Sequence, residues 1–123
     1  MVRCSSHDDR WRCSVTNGEF EIVADTAKSG GTGDGFRPHE LLAAALSSCL
    51  NITARMAADE NDIPLEGVTT TVDLQRSPDR TEFVYTCEFD GVSEREPGVL
   101  RDAISDCPVQ RTLSKEVGFE VAD

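Results

Sequence analysis

The sequence predicts an α+β domain in which antiparallel strands surround two central helices. Three observations carry that expectation. Apolar residues alternate over Glu19–Ala24 and Thr81–Phe89, helix formers run from Pro38 through Ala58, and a second helical pattern extends from Ser93 to about Lys115. The 123 residues, 1–123, read as a single domain. A chain of this size buries roughly two-thirds of its unfolded surface, enough for one core. A hydrophobic share of 38% excludes a disordered tail, a collagen-like repeat and a coiled coil.

Taken in order, Arg10–Val15 and Glu19–Ala24 read as a hairpin, because the intervening Asn17-Gly18 favours a type I′ turn. The residues before it read as a loose N-terminus. Lys28–Gly35, with four glycines, reads as a flexible loop. Pro38 suits the first helical position and Glu40 the first turn of the helix that follows. Leu42, Leu46, Cys49 and Met56 share a face of it, and its first half carries so little polar surface that burial nearly all round is expected. Val68–Gln75 and Thr81–Phe89 form a second hairpin around Ser77-Pro78-Asp79, with Phe83, Tyr85, Cys87 and Phe89 on one face. The second helix carries Leu100, Ala103, Ile104 and Cys107 on one side, and Pro108 either kinks it or starts a new turn. Val117–Val121 is expected to close the fold as a strand.

Charge narrows the partners. Twelve basic residues face 23 acidic ones, giving a net charge of −11. Such a field repels phosphate backbones and anionic lipid, so neither nucleic acid nor a membrane surface is an expected partner. Acidity with only Lys28 and Lys115 as lysines is the balance a salt-adapted cytoplasm selects. No apolar run approaches the ~20 residues of a membrane span. The opening MVRCSSHDDRWRC holds no stretch suited to a secretory signal, so a soluble, cytoplasmic protein is expected.

Five cysteines, an odd number, argue against a structural disulfide framework in such a chain. Cys49 and Cys107 fall on the apolar faces of the two helices, where their sulfurs approach if those faces cross. From spacing alone they read first as small apolar fillers and only second as reactive thiols. Cys4, His7 and Cys13 lack the paired spacing of a metal site. Cys87 reads as strand core.

The stretches RPHELLAAALSSC, ending at Cys49, and DCPVQR, containing Cys107, resemble the OsmC/Ohr family of thiol-dependent hydroperoxide reductases. The likeness runs from the first hairpin to the last strand. It implies an intertwined homodimer with the central helices at its interface. It implies Cys49 as the peroxidatic thiolate, Cys107 as the resolving thiol, an organic hydroperoxide as substrate and a dithiol or lipoyl-type reductant. An apolar pocket beside the sulfur is implied as well, with no metal and no organic cofactor.

The chain departs from the family's activating pair. In the peroxidase branch a Glu directly follows the proline and holds an arginine against the sulfur. Here His39 occupies that position and Glu40 comes one residue later, about 100° further round the helix. The tight Asn17-Gly18 turn holds no arginine, which leaves Arg37, Arg10 or Arg12 as candidates. Arg37, His39 and Glu40 are therefore the expected supporting residues. The same gap suits a second reading, a non-catalytic dimer of this family that binds an apolar ligand or acts as a redox sensor.

Overall fold

The computed structural model describes residues 1–93 and 95–122. Position 94, inside the expected start of the second helix, lies outside the described residues. Among the described residues the strands and α-helices follow in the order β1 (Arg3–Ser6), β2 (Cys13–Thr16), β3 (Glu21–Ala24), α1 (Pro38–Glu60), β4 (Gly67–Arg76), β5 (Thr81–Asp90), α2 (Glu96–Ile104) and α3 (Pro108–Ser114), with a short 3-10 turn at Lys28–Gly30. The mixed α+β class is as expected. The chain forms two compact units, one of Met1–Leu42 and one from Ala43 to the C-terminus.

In the first unit β1, β2 and β3 make an antiparallel sheet in that order. Strand β1 corrects the reading of a loose N-terminus. Its sequence, RCSS, has no apolar alternation to announce it, and all four residues are exposed. What holds it is backbone pairing with β2, from Arg3↔Thr16 to Ser6↔Cys13. The β2–β3 connection also differs from expectation. Thr16 pairs with Glu21, so four residues separate the strands. Gly18 takes a φ of +101° while Asn17 stays out of the left-handed region, which excludes the type I′ turn. Instead the Asn17 side-chain oxygen accepts the N–H groups of Glu19 and Phe20, both at 2.9 Å. This local bond competes with the two-residue turn and wins.

The Gly-rich segment is pinned rather than loose. Asp25, 4% exposed, accepts hydrogen bonds from the backbone of Thr26 (2.8 Å) and Asp34 (2.9 Å) and from the Thr32 hydroxyl (3.2 Å). The N–H donated by Asp34 is the foremost reason its carboxyl lies below the ordinary value. Arg12 clamps the same segment, binding Asp9 at 2.9 Å and Asp34 at 2.5 Å, with its Nε 3.9 Å from Asp25. The Trp11 indole N–H donates to the Ser29 carbonyl at 3.2 Å. A Cβ on Gly31 would stand 2.0 Å from the Thr26 carbonyl oxygen and 2.9 Å from the Trp11 ring, so only glycine lets the chain pass there.

In the second unit β4 and β5 pair antiparallel over ten residues each, from Gly67↔Asp90 to Arg76↔Thr81. The inner face carries Phe83, Tyr85, Cys87 and Phe89, as the alternation requires. Helix α1 is joined to this sheet by two polar bonds. The Thr70 hydroxyl donates to the Ser47 carbonyl at 2.8 Å, and the Asn51 amide to the Val68 carbonyl at 3.0 Å. Leu46, Leu50, Ala54, Ala57 and Ala58 are its buried residues. Leu42 (44% exposed), Ile52 (45%) and Met56 (62%) are not, which corrects both the expected face and the expected all-round burial within one chain. Beyond α1, Asp62 turns left-handed at φ +54° and the Ile63 N–H returns to the Ala58 carbonyl, closing the helix end.

Two further expectations need correction. Averaged over its most apolar stretch, α1 reaches a mean hydropathy of 1.4, so its 23 residues are long and apolar enough to cross a membrane. Counting unbroken apolar residues misses this, because Ser47, Ser48, Asn51, Thr53 and Arg55 interrupt the run while its Ala, Leu and Ile residues keep the average high. Within the chain α1 serves as a core helix. Residues 116–122 form no strand, and Val117 (58% exposed), Phe119 (97%) and Val121 (84%) project into solvent. Alternation makes a strand only where an edge pairs the backbone. Among the described residues that segment pairs with none of the five strands.

Candidate active site

Cys49 sits in the middle of α1, where it packs against the cluster of Leu46, Leu50, Cys87, Ile104 and Cys107. Pro108 does start a new turn. Having no N–H, it cannot continue α2 and is pre-set for the first position of α3. Cys107 becomes the N-terminal flanking residue of α3, extended at φ −66° and ψ 149°, and is fully buried. The Arg111 N–H donates to its carbonyl at 3.0 Å and closes the first turn.

This break places the Val109 N–H 3.5 Å from Cys49 Sγ, as a donor. The Thr53 hydroxyl lies 3.9 Å from the same sulfur, one turn along α1. The two thiols are neighbours. Burial, before all else, pushes the Cys107 thiol up; the hydrogen bond and charge of Cys49 push the same way, and the N–H groups of Gln110 and Val109 pull it down. Cys49 is half-buried while Cys107 is sealed. One cysteine therefore keeps some contact with solvent and the other has none.

Around the pair, the Tyr85 hydroxyl donates to Gln110 Oε1 at 3.4 Å, and burial raises that phenol. Cys87 is raised chiefly by burial, as strand core should be. The nearby cations of this unit have other partners. Arg101 lies over the Phe89 ring at 5.3 Å and donates to the Cys87 carbonyl at 3.4 Å, and Arg111 pairs with Asp106 at 3.7 Å.

Arg37 and Glu40 engage each other at the start of α1. Glu40 Oε1 accepts the Arg37 backbone N–H at 2.8 Å and stands 3.7 Å from its guanidinium. The carboxylate thus supplies the helix-facing half of a capping box. His39 is exposed beside them. Of the other two candidate cations, Arg12 is taken up by Asp9, Asp25 and Asp34, and the Arg10 side chain lies beside Gly30. The Val109 N–H is the participant that sequence reading missed. A backbone donor has no residue signature, although the Cys-Pro step that aims it was visible. Among the described residues no group of three metal-ligating side chains comes together. The His7 ring and the Ser14 hydroxyl share a hydrogen bond on the side of β2 opposite Cys13.

A family model described as OsmC-like protein matches residues 31–122. Among solved structures, the chain is similar to an OsmC-like protein from Mycoplasma pneumoniae, with 22% identity over 92% of this chain and 85% of that one, TM-score 0.73. It is similar to an organic hydroperoxide resistance protein OsmC from Legionella pneumophila, with 21% identity, 93% and 88% coverage and TM-score 0.67. It is also similar to the organic hydroperoxide resistance protein OhrB of Bacillus subtilis, with 15% identity, 93% and 89% coverage and TM-score 0.67. At these identities the likeness establishes the fold. A search of the curated proteins finds no match.

Proposed function

Because the chain belongs to the OsmC-like protein family, we propose that it reduces organic hydroperoxides through Cys49 and Cys107. The carrying observation is the asymmetry of two neighbouring thiols, one half-buried and one sealed. Cys49, the less buried of the two, attacks one peroxide oxygen as thiolate. A sulfur–oxygen bond forms, the oxygen–oxygen bond breaks, and the departing oxygen takes a proton to leave as alcohol. Cys107 then displaces the remaining oxygen from Cys49 as water, forming the disulfide. A dithiol of the lipoyl kind reopens that bond by exchange and carries away the two electrons. The half-exposed side of Cys49 admits the substrate, and the Val109 N–H fixes the direction of the sulfur.

Arg37, Glu40 and His39 take a supporting place in this reading, the first two as an ion pair ready to present a guanidinium. The working form is a homodimer that covers Leu42, Ile52 and Met56 of α1, and all 123 residues act as one domain within it. The engagement of Arg12 by three carboxylates favours a second reading, a dithiol that registers oxidation without rapid turnover.

Consumption of cumene hydroperoxide in the presence of a dithiol decides between them. Cys49→Ser is expected to drop turnover to the uncatalysed rate. Cys107→Ser is expected to leave a sulfenic acid on Cys49 that a cyclic dione traps. Unchanged consumption by Cys49→Ser overturns the assignment, and trapping without turnover in the native protein favours the sensor.

A further inference from the structure

The reaction proposed above uses none of the thiols in the N-terminal sheet, yet two of them meet there. The β1–β2 register pairs Cys4 with Val15 and Ser6 with Cys13, which sets Cys4 and Cys13 diagonally across the two strands. Facing residues, and residues two apart on a strand, share a face of the sheet. Both side chains therefore leave on the same side. Proximity to Cys4, ahead of burial, also lifts the Cys13 thiol above its ordinary value. Cys4 is exposed and Cys13 is half-buried behind it. Strand β1 is an edge strand with every residue exposed, so the shift that brings a diagonal pair into bonding range moves little else.

We propose that Cys4 and Cys13 are a second redox couple, closed to a cross-strand disulfide by an organic hydroperoxide. Cys4 attacks one peroxide oxygen; the sulfur–oxygen bond forms, the oxygen–oxygen bond breaks, and an alcohol leaves. Cys13 then attacks the Cys4 sulfur; the sulfur–sulfur bond forms, the sulfur–oxygen bond breaks, and water leaves. Two thiols supply the two electrons and two protons that turn the peroxide into alcohol and water. The bridge spans the turn that carries Arg12, and so fastens the segment holding Asp9, Asp25 and Asp34. It goes beyond the proposed activity and does not depend on Cys49.

The test uses the full-length Cys49→Ser/Cys107→Ser protein, which keeps Cys4, Cys13 and Cys87. After exposure to cumene hydroperoxide, free thiols are counted in denaturant and unreduced peptides are mapped. The expected result is loss of two of those three thiols, an intramolecular Cys4–Cys13 link and its reversal by dithiothreitol. Adding Cys13→Ser is expected to leave a trappable sulfenic acid on Cys4. In the otherwise native chain, Cys4→Ser removes the link and leaves hydroperoxide turnover at its native rate. A link that forms while native turnover is absent sustains this proposal and defeats the catalytic one. Three thiols surviving oxidation, or a Cys4 bridge only between separate chains, overturns it.

Discussion

Asp25 shows how one side chain organises a loop that glycine content alone marks as loose. Its carboxyl lies below the ordinary 3.8 because the Asp34 N–H, then the Thr26 N–H and the Thr32 hydroxyl, stabilise the charged form, with Arg12 adding its field. A depressed carboxyl contributes stability that is present above pH 3.8 and lost as pH falls through its folded value. Acid titration is therefore expected to loosen residues 25–36 and release the Trp11 indole from Ser29. Trp11 is the single tryptophan, so its emission reports the step directly. Asp25→Asn should show the loosened emission already at neutral pH and lack the acid step. An unchanged titration in that variant would separate Asp25 from loop order.

At the scale of elements, α1 against the β4–β5 hairpin carries the core of the second unit. Leu50 is fully buried in it, and Leu50→Ala is expected to cost about 2–5 kcal/mol in urea unfolding. The same core sets an alkaline limit. Burial raises the Cys87 and Cys107 thiols above 9.0, so the folded form favours them neutral. The unfolded chain ionises first as pH climbs past 9.0, and stability falls from there until the folded thiols also ionise. The urea midpoint should hold below that pH and decline above it; a flat alkaline profile would contradict the burial. The hairpin was legible because Phe83, Tyr85, Cys87 and Phe89 alternate with exposed residues. The Cys107-Pro108 break was legible because proline lacks the donor a continuing helix needs. Strand β1 was not, since RCSS carries no apolar face and its order comes from the bonds of β2.

For the whole molecule, exposed Leu42, Ile52 and Met56 on one long helix make association the expected state. Sedimentation should give about twice the 13.4 kDa of one chain. Met56→Glu should weaken self-association about tenfold or more, the change that ~1.4 kcal/mol produces. Each protomer carries −11, so two of them repel, and screening should tighten the dimer as salt rises. A monomer at micromolar concentration, insensitive to salt and to that substitution, would remove the dimer from the proposed function.

The sequence by itself determined the span of α1, the β4–β5 hairpin, an interruption of the second helical stretch at Pro108 and membership of the OsmC-like family. These follow from local rules: alternation, helix-forming runs, a missing N–H and two cysteine segments in order. Only the tertiary structure decided which face of α1 is buried. A helix so evenly apolar does not choose a face by its own periodicity, and packing against the sheet selects Leu46, Leu50 and Ala54 over Leu42 and Met56. That choice of face brings Cys49 to Cys107 and to the Val109 N–H. A contact across so many residues is set by packing, which no local pattern encodes.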